Sequence, residues 1–165
     1  MAQKHAHLYV GSTGRPKAAL LPHDGLANLI DAQRILFGVD SNSRVLQFAS
    51  PSFDAFISKC LSHSVAARAL VIEPLSHLVP GPRLEKTIAD QRITHVTLPP
   101  TVLAKLRPEH VPRLRRVVVA GEACSASVAQ RWASQVQLIN AYGPCKPLSA
   151  LAFVRSVNLL GNNRP

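Results

Sequence analysis

Short apolar runs punctuate the chain: Val45-Leu-Gln-Phe-Ala49, Ala69-Leu-Val-Ile72, His95-Val-Thr-Leu98, Arg116-Val-Val-Val-Ala120 and Val136-Gln-Leu-Ile139. Most are nearly continuous and bounded by Gly, Pro or Ser, the pattern of strands buried on both faces of a parallel sheet. A further strand-like start begins at Leu8 and runs into Gly11-Ser-Thr-Gly-Arg-Pro-Lys17. Helical spacing fills the intervals. Asp24 can cap a helix carrying Leu26, Leu29 and Ile30, with Gly38 at its far end. Phe53, Phe56, Ile57, Cys60 and Leu61 fall on one helical face. Leu84 and Ile88, with Arg92 in the same spacing, mark a short helix after the Pro80-Gly-Pro82 turn, and Ser125 can cap one carrying Val128 and Trp132. This alternation predicts an α/β fold, a mainly parallel sheet flanked by helices.

The length of 165 residues fits one domain with a core of its own, and a hydrophobic fraction of 47% excludes wholesale disorder. Charge changes the picture more. Nineteen Lys and Arg against nine Asp and Glu give a formal net charge of +10, which attracts polyanions non-specifically. Aromatics at 5% argue against a stacking platform for single-stranded nucleic acid. The densest basic cluster, Arg113-Leu-Arg-Arg116, directly precedes an apolar run and reads first as a solvated loop before a buried strand. Cys60, Cys124 and Cys145 are odd in number and far apart, so neither a disulfide framework nor a zinc site is expected and a reducing compartment is. His5 and His7 could share a metal on a strand, but no third ligand stands nearby, and solvent-exposed histidines are the simpler reading. The first ten residues lack the apolar core of a secretory signal, and no stretch has the length of a membrane span, so a cytoplasmic protein is expected.

Ligands of open parallel sheets sit at the carboxyl ends of the strands, and three polar loops fall at or near such ends. They are Gly11 to Lys17, the stretch Leu46 to Phe56 (LQFASPSFDAF), and Leu138 to Lys146 (LINAYGPCK), with Val117 to Ser125 (VVVAGEACS) shortly before the last. With His23 to Leu29 and Ile93 to Leu106 in support, these stretches occur in family order over nearly the whole chain. Together they resemble the adenylate-forming enzymes, most closely the amino-acid adenylation domains of non-ribosomal peptide synthetases. That resemblance implies a slice of the family's large amino-terminal domain. It also implies a reaction in which ATP and an amino acid give an aminoacyl adenylate and pyrophosphate, with Mg2+ as the metal, before transfer to a carrier-protein thiol.

The resemblance assigns roles residue by residue. Ser12, Thr13, Gly14 and Lys17 match the loop around the β- and γ-phosphates, where hydroxyls, backbone donors and an ammonium suit a polyanion. Asp54 matches the carboxylate that pairs with the substrate α-ammonium, although an Asp at a helix start is also an ordinary cap. Gly121, Glu122 and Ala123 match the backbone lying along adenine. Asn140 matches the residue bonding the adenine amino group, and Tyr142 the ring stacking on the base; a core aromatic is the other reading of Tyr142. The amino-acid pocket would be lined by Ala55, Ser58, Thr97, Val118, Ala120, Ala141, Ser149 and Ala150, small, apolar or hydroxylic, which fits an uncharged substrate side chain.

Departures from the family pattern bear on chemistry. The loop after Tyr9 is one residue shorter, Val10 replaces a threonine, and Ala18 replaces the glycine after the lysine. Where the family reads Tyr-Gly-Pro-Thr-Glu, this chain reads Tyr142-Gly-Pro-Cys-Lys146. The glutamate holds magnesium, and an ammonium does not. No Tyr-Arg-Thr-Gly-Asp ribose motif or carboxy-terminal lysine domain stands within residues 1–165. Residues 1–165 are therefore expected to be a partial AMP-binding domain with no catalytic residue or metal ligand of its own, inactive alone and at most a weak binder of ATP or AMP. Two other readings are a working part of an enzyme completed by another synthetase chain and a basic protein that binds polyanions or nucleic acid.

Overall fold

The computed structural model describes residues 4–10, 16–22, 26–50, 69–141 and 154–156. Two antiparallel strands come first, β1 (Lys4–Val10) and β2 (Pro16–Pro22), paired from Lys4 with Pro22 to Val10 with Pro16. Helix α1 follows (Leu26–Phe37), then β3 (Arg44–Gln47), β4 (Ala69–Ile72), α2 (Pro82–Asp90), β5 (His95–Leu98), the one-turn α3 (Pro100–Leu103), β6 (Arg116–Ala120), α4 (Ala126–Ala133), β7 (Gln137–Ala141) and β8 (Val154–Ser156). The last six strands form one sheet in the order β4-β3-β5-β6-β7-β8. Strands β3 to β7 are parallel, and β8 adds antiparallel to β7.

The sheet carries apolar side chains on both faces, as continuous apolar runs require. On one face Leu46, Val71, Val96, Leu98, Val117, Val119 and Leu138 pack with Leu84 and Ile88 of α2, Leu103 of α3, and Ala129 and Trp132 of α4. On the other, Val45, Val118 and Ile139 pack with Phe37 at the end of α1 and with Val39. Burying each such side chain contributes roughly 1.5–3 kcal/mol against chain entropy.

Local chemistry sets the ends of the elements. Ser125 caps α4, its hydroxyl accepting from the Val128 N–H at 3.4 Å. Helix α2 stops at Asp90, and Arg92, which shares its spacing, instead takes a left-handed turn (φ 51°) that sends Ile93 into the core. Between α1 and β3 the Asp40 carboxylate accepts from Ser43 Oγ at 2.8 Å and the Asn42 N–H at 2.9 Å, and these bonds hold its pKa down. Glu85 of α2 is 5% exposed and ties down the 107–110 turn, accepting from the Arg107 N–H at 2.8 Å and from His110 Nδ1 at 2.6 Å.

Gly38 closes α1 at φ 54°, and a Cβ there would overlap the Arg116 guanidinium. The guanidinium is the far end of a flexible side chain, but the backbone conformation is not negotiable. Gly38→Ala should therefore lose about 1–2 kcal/mol from the left-handed geometry, read as a lowered urea midpoint with an unchanged slope.

Candidate functional site

The carboxyl ends of β5, β6 and β7 bring together residues that are far apart in sequence. Strand register pairs Thr97 with Val118, and Ala120 with Ala141. Successive strand residues alternate in face. Val118 and Ile139 face the α1 side, so Ala120 and Ala141 share that face, as does Thr97 between the oppositely directed Val96 and Leu98. Four of the expected pocket residues thus form one small-residue floor without a charge. Ala55, Ser58, Ser149 and Ala150 lie outside the described residues, as does Asp54.

Gln47 joins this floor and was not singled out from sequence. It pairs with Ile72, and the register that sets Leu46 beside Val96 continues to place Gln47 beside Thr97. Its side chain is 5% exposed. Nε2 donates to the Ala49 carbonyl at 2.8 Å, while Oε1 is buried with no hydrogen-bond partner among the described residues. The one signal in the sequence was a polar residue inside the apolar run Val45 to Phe48.

Beyond β6 the chain turns outward. Gly121 has φ 88°, and Gly121, Glu122 and Ala123 are exposed before Ser125 starts α4. Cys124 is half-buried, and burial pushes its thiol pKa up. Asn140 pairs with Val119 and occupies the opposite face from Ala141; its Oδ1 is buried without a hydrogen-bond partner among the described residues. A buried acceptor left unpaired costs about 1–3 kcal/mol, the usual mark of a group with a ligand or water to meet. Tyr142 lies outside the described residues, as do Ser12, Thr13 and Gly14. Lys17 is the second residue of β2, across from Tyr9.

Comparison with known proteins decides the family. The profile of the AMP-binding enzymes matches residues 10–152. The chain belongs to the AMP-binding enzyme family. Relatives include novobiocin biosynthesis protein H of Streptomyces niveus, 46% identical over 134 residues, which are 81% of this chain and 22% of that protein. Chondramide synthase cmdD of Chondromyces crocatus is 46% identical over 134 residues, covering 81% of this chain and 3% of the synthase. The chain therefore spans less than a quarter of the length of these relatives. Among solved structures, the Vibrio cholerae adenylation domain AlmE in complex with glycyl-adenosine-5'-phosphate superposes with a TM-score of 0.72 at 28% identity, over 84% of this chain and 27% of that one. The AMPPNP-bound non-ribosomal peptide synthetase FmoA3 gives 0.69 at 25% identity, over 83% and 16%. The parallel sheet and its helices are those of the family's amino-terminal domain, and the similar proteins include an adenylation domain and a non-ribosomal peptide synthetase.

Proposed function

We propose that residues 1–165 form the part of an adenylation domain that holds adenine and an uncharged amino-acid side chain, and that they do not join the two substrates unaided. The carrying observation is the shared floor of Thr97, Val118, Ala120 and Ala141 at the same strand ends as Asn140, which takes the opposite face, and the exposed 121–123 backbone. Such a floor excludes a charged side chain, which would be buried without a counter-charge. Gln47 Oε1 offers an acceptor on the same face, suited to a substrate hydroxyl or amide. Asp54 would take the α-ammonium, Tyr142 would stack on the base, Asn140 would bond its amino group, and Ser12, Thr13, Gly14 and Lys17 would hold the phosphates. The donor set does not fit the magnesium ion, because Lys146, an ammonium, stands in sequence where the family has the metal-binding glutamate.

Ile35 and Ile72 are 70% and 71% exposed, and Leu75 and Val79 also face solvent. The apolar exposure at the end of β4 and just after it, where β4 is the outermost strand among the described residues, favours a second reading, a site completed by further polypeptide. Transfer to a carrier protein belongs with that completed enzyme. Among the described residues no helix is long and apolar enough to cross a membrane.

Titration with AMP and GMP at two salt concentrations tests the adenine site. AMP should bind more tightly than GMP, weakly but with little salt dependence, and Tyr142→Ala should weaken AMP by about 1–3 kcal/mol, the contribution of one stacked base. Equal binding of both nucleotides, abolished by salt and indifferent to Tyr142, would leave only an electrostatic surface.

A further inference from the structure

At the other end of the sheet the strands begin around a cleft of about 610 Å³ lined by Asn42, Arg44, Asp90, Gln91, Arg92, Thr94, Arg113 and Arg115. Arg44 opens β3, Thr94 directly precedes β5, and Arg115 directly precedes β6. The cleft is thus separated from the adenylate floor by the length of the strands, roughly 13–17 Å for four or five residues. It gathers Arg113 and Arg115 of the basic cluster at residues 113–116, which the adenylate reading leaves without a task.

We infer that this cleft is a second anion site, built for a ligand carrying several phosphate charges. Its four arginines come from three separate segments, so the fold brings Arg44 and Arg92 to the neighbouring pair Arg113 and Arg115. Arg44 is half-buried and oriented, with Nε donating to the Gln91 carbonyl at 2.7 Å, which leaves its terminal nitrogens for a ligand. Arg92, Arg113 and Arg115 are exposed and make no side-chain hydrogen bond or salt bridge among the described residues. Leu114, 2% exposed, anchors the loop between the last two and turns them outward together. The one carboxylate on the wall, Asp90, is engaged by Lys86 Nζ at 2.7 Å. Thr94 on the floor is committed too: its Oγ1 accepts from the Arg44 N–H at 2.8 Å and bonds His95 Nδ1 at 2.7 Å. The cleft therefore presents a neutral floor beneath a cationic rim.

Guanidinium groups bind phosphate oxygens in a forked, two-bond geometry, and a concave wall of one sign concentrates the field. A compact oligophosphate answers both features, whereas an extended acidic segment would need a longer groove. Both Asn42 and Gln91 add amides at the margin for further phosphate oxygens.

Inorganic triphosphate is the probe, titrated into the chain by calorimetry with saturating AMP present. Arg113→Gln/Arg115→Gln should weaken triphosphate about tenfold or more, as expected for losing two charge-assisted contacts. Lys105→Gln/Arg107→Gln removes the same charge from the exposed surface beside α2 and should change affinity less than about twofold. Lys17→Ala should remove only the binding that the phosphate loop contributes and leave in place the component lost in the cleft variant, which separates the two sites. Equal losses in the two double variants would show that net charge alone governs binding. Loss on Lys17→Ala with none on the cleft variant would place the anion in the loop. Either result overturns the inference. Labelling the unaltered chain with an arginine-specific reagent, read by peptide mass, gives a test that needs no variant. Triphosphate should protect Arg92, Arg113 and Arg115, and unprotected arginines there would refute the site even if the adenine site stands.

Discussion

Amino-acid-dependent exchange of pyrophosphate into ATP, assayed on these 165 residues alone with magnesium, is expected to stay at the level of a Lys17→Ala control. The reaction concentrates negative charge on the phosphates in the transition state, and that charge must meet a metal and preorganised donors. Lys146 supplies an ammonium where the family has the metal-binding glutamate, and Cys145 a thiol where it has a hydroxyl. Losing one such preorganised donor lowers turnover by about 10²–10³-fold, and here two positions depart together. The chain also spans 22% of the novobiocin relative. Exchange clearly above the control, with the usual amino acids, would mean that Lys146 serves the phosphates after all and that the site turns over unaided. Exchange appearing only when a second synthetase chain is added would instead favour the completed-site reading.

Trp132→Ala should cost about 3–5 kcal/mol, a large share of the stability of an ordinary domain. The indole is fully buried between α4 and the sheet, packed in the core with Leu103, Leu106 and Val136, so truncation leaves a cavity that rigid neighbours cannot fill. Its Nε1–H has no hydrogen-bond partner among the described residues. Trp132→Phe keeps an aromatic ring and removes that buried donor, whose desolvation costs about 1–3 kcal/mol, so phenylalanine should be tolerated far better than alanine. Urea unfolding followed by far-ultraviolet circular dichroism measures both. Equal losses for the two variants would show that the core needs the whole indole and that its N–H is not a penalty.

The family's mark lay in the sequence because its loops are local: Gly11 to Lys17, Ser52 to Ala55 and Asn140 to Pro144 each carry their residues within a few positions. The apolar runs were equally legible, since a strand buried on both faces writes itself as continuous hydrophobicity. Strands β4, β5 and β6 occupy the expected residues; β3 begins one residue earlier and ends at Gln47, and β7 shifts to Gln137–Ala141, because hydrogen-bond register with a neighbour sets strand ends. The cap at Ser125 was readable for the same local reason. Arg92 was not, because a left-handed residue at the end of α2 leaves no trace in hydrophobic spacing. The β1–β2 hairpin and the antiparallel β8 also escaped, since apolar periodicity does not report strand direction.

Sequence by itself determined the fold class and the family, both of which depend on residues close along the chain. Tertiary structure alone decided that Thr97, Val118, Ala120 and Ala141 share a face with Gln47, and that Arg44 and Arg92 join Arg113 and Arg115 around one cleft. Both groupings arise from parallel register. Laying β3, β5 and β6 side by side in one direction gathers all their carboxyl ends at one edge and all their amino ends at the other, whatever the sequence distance between them.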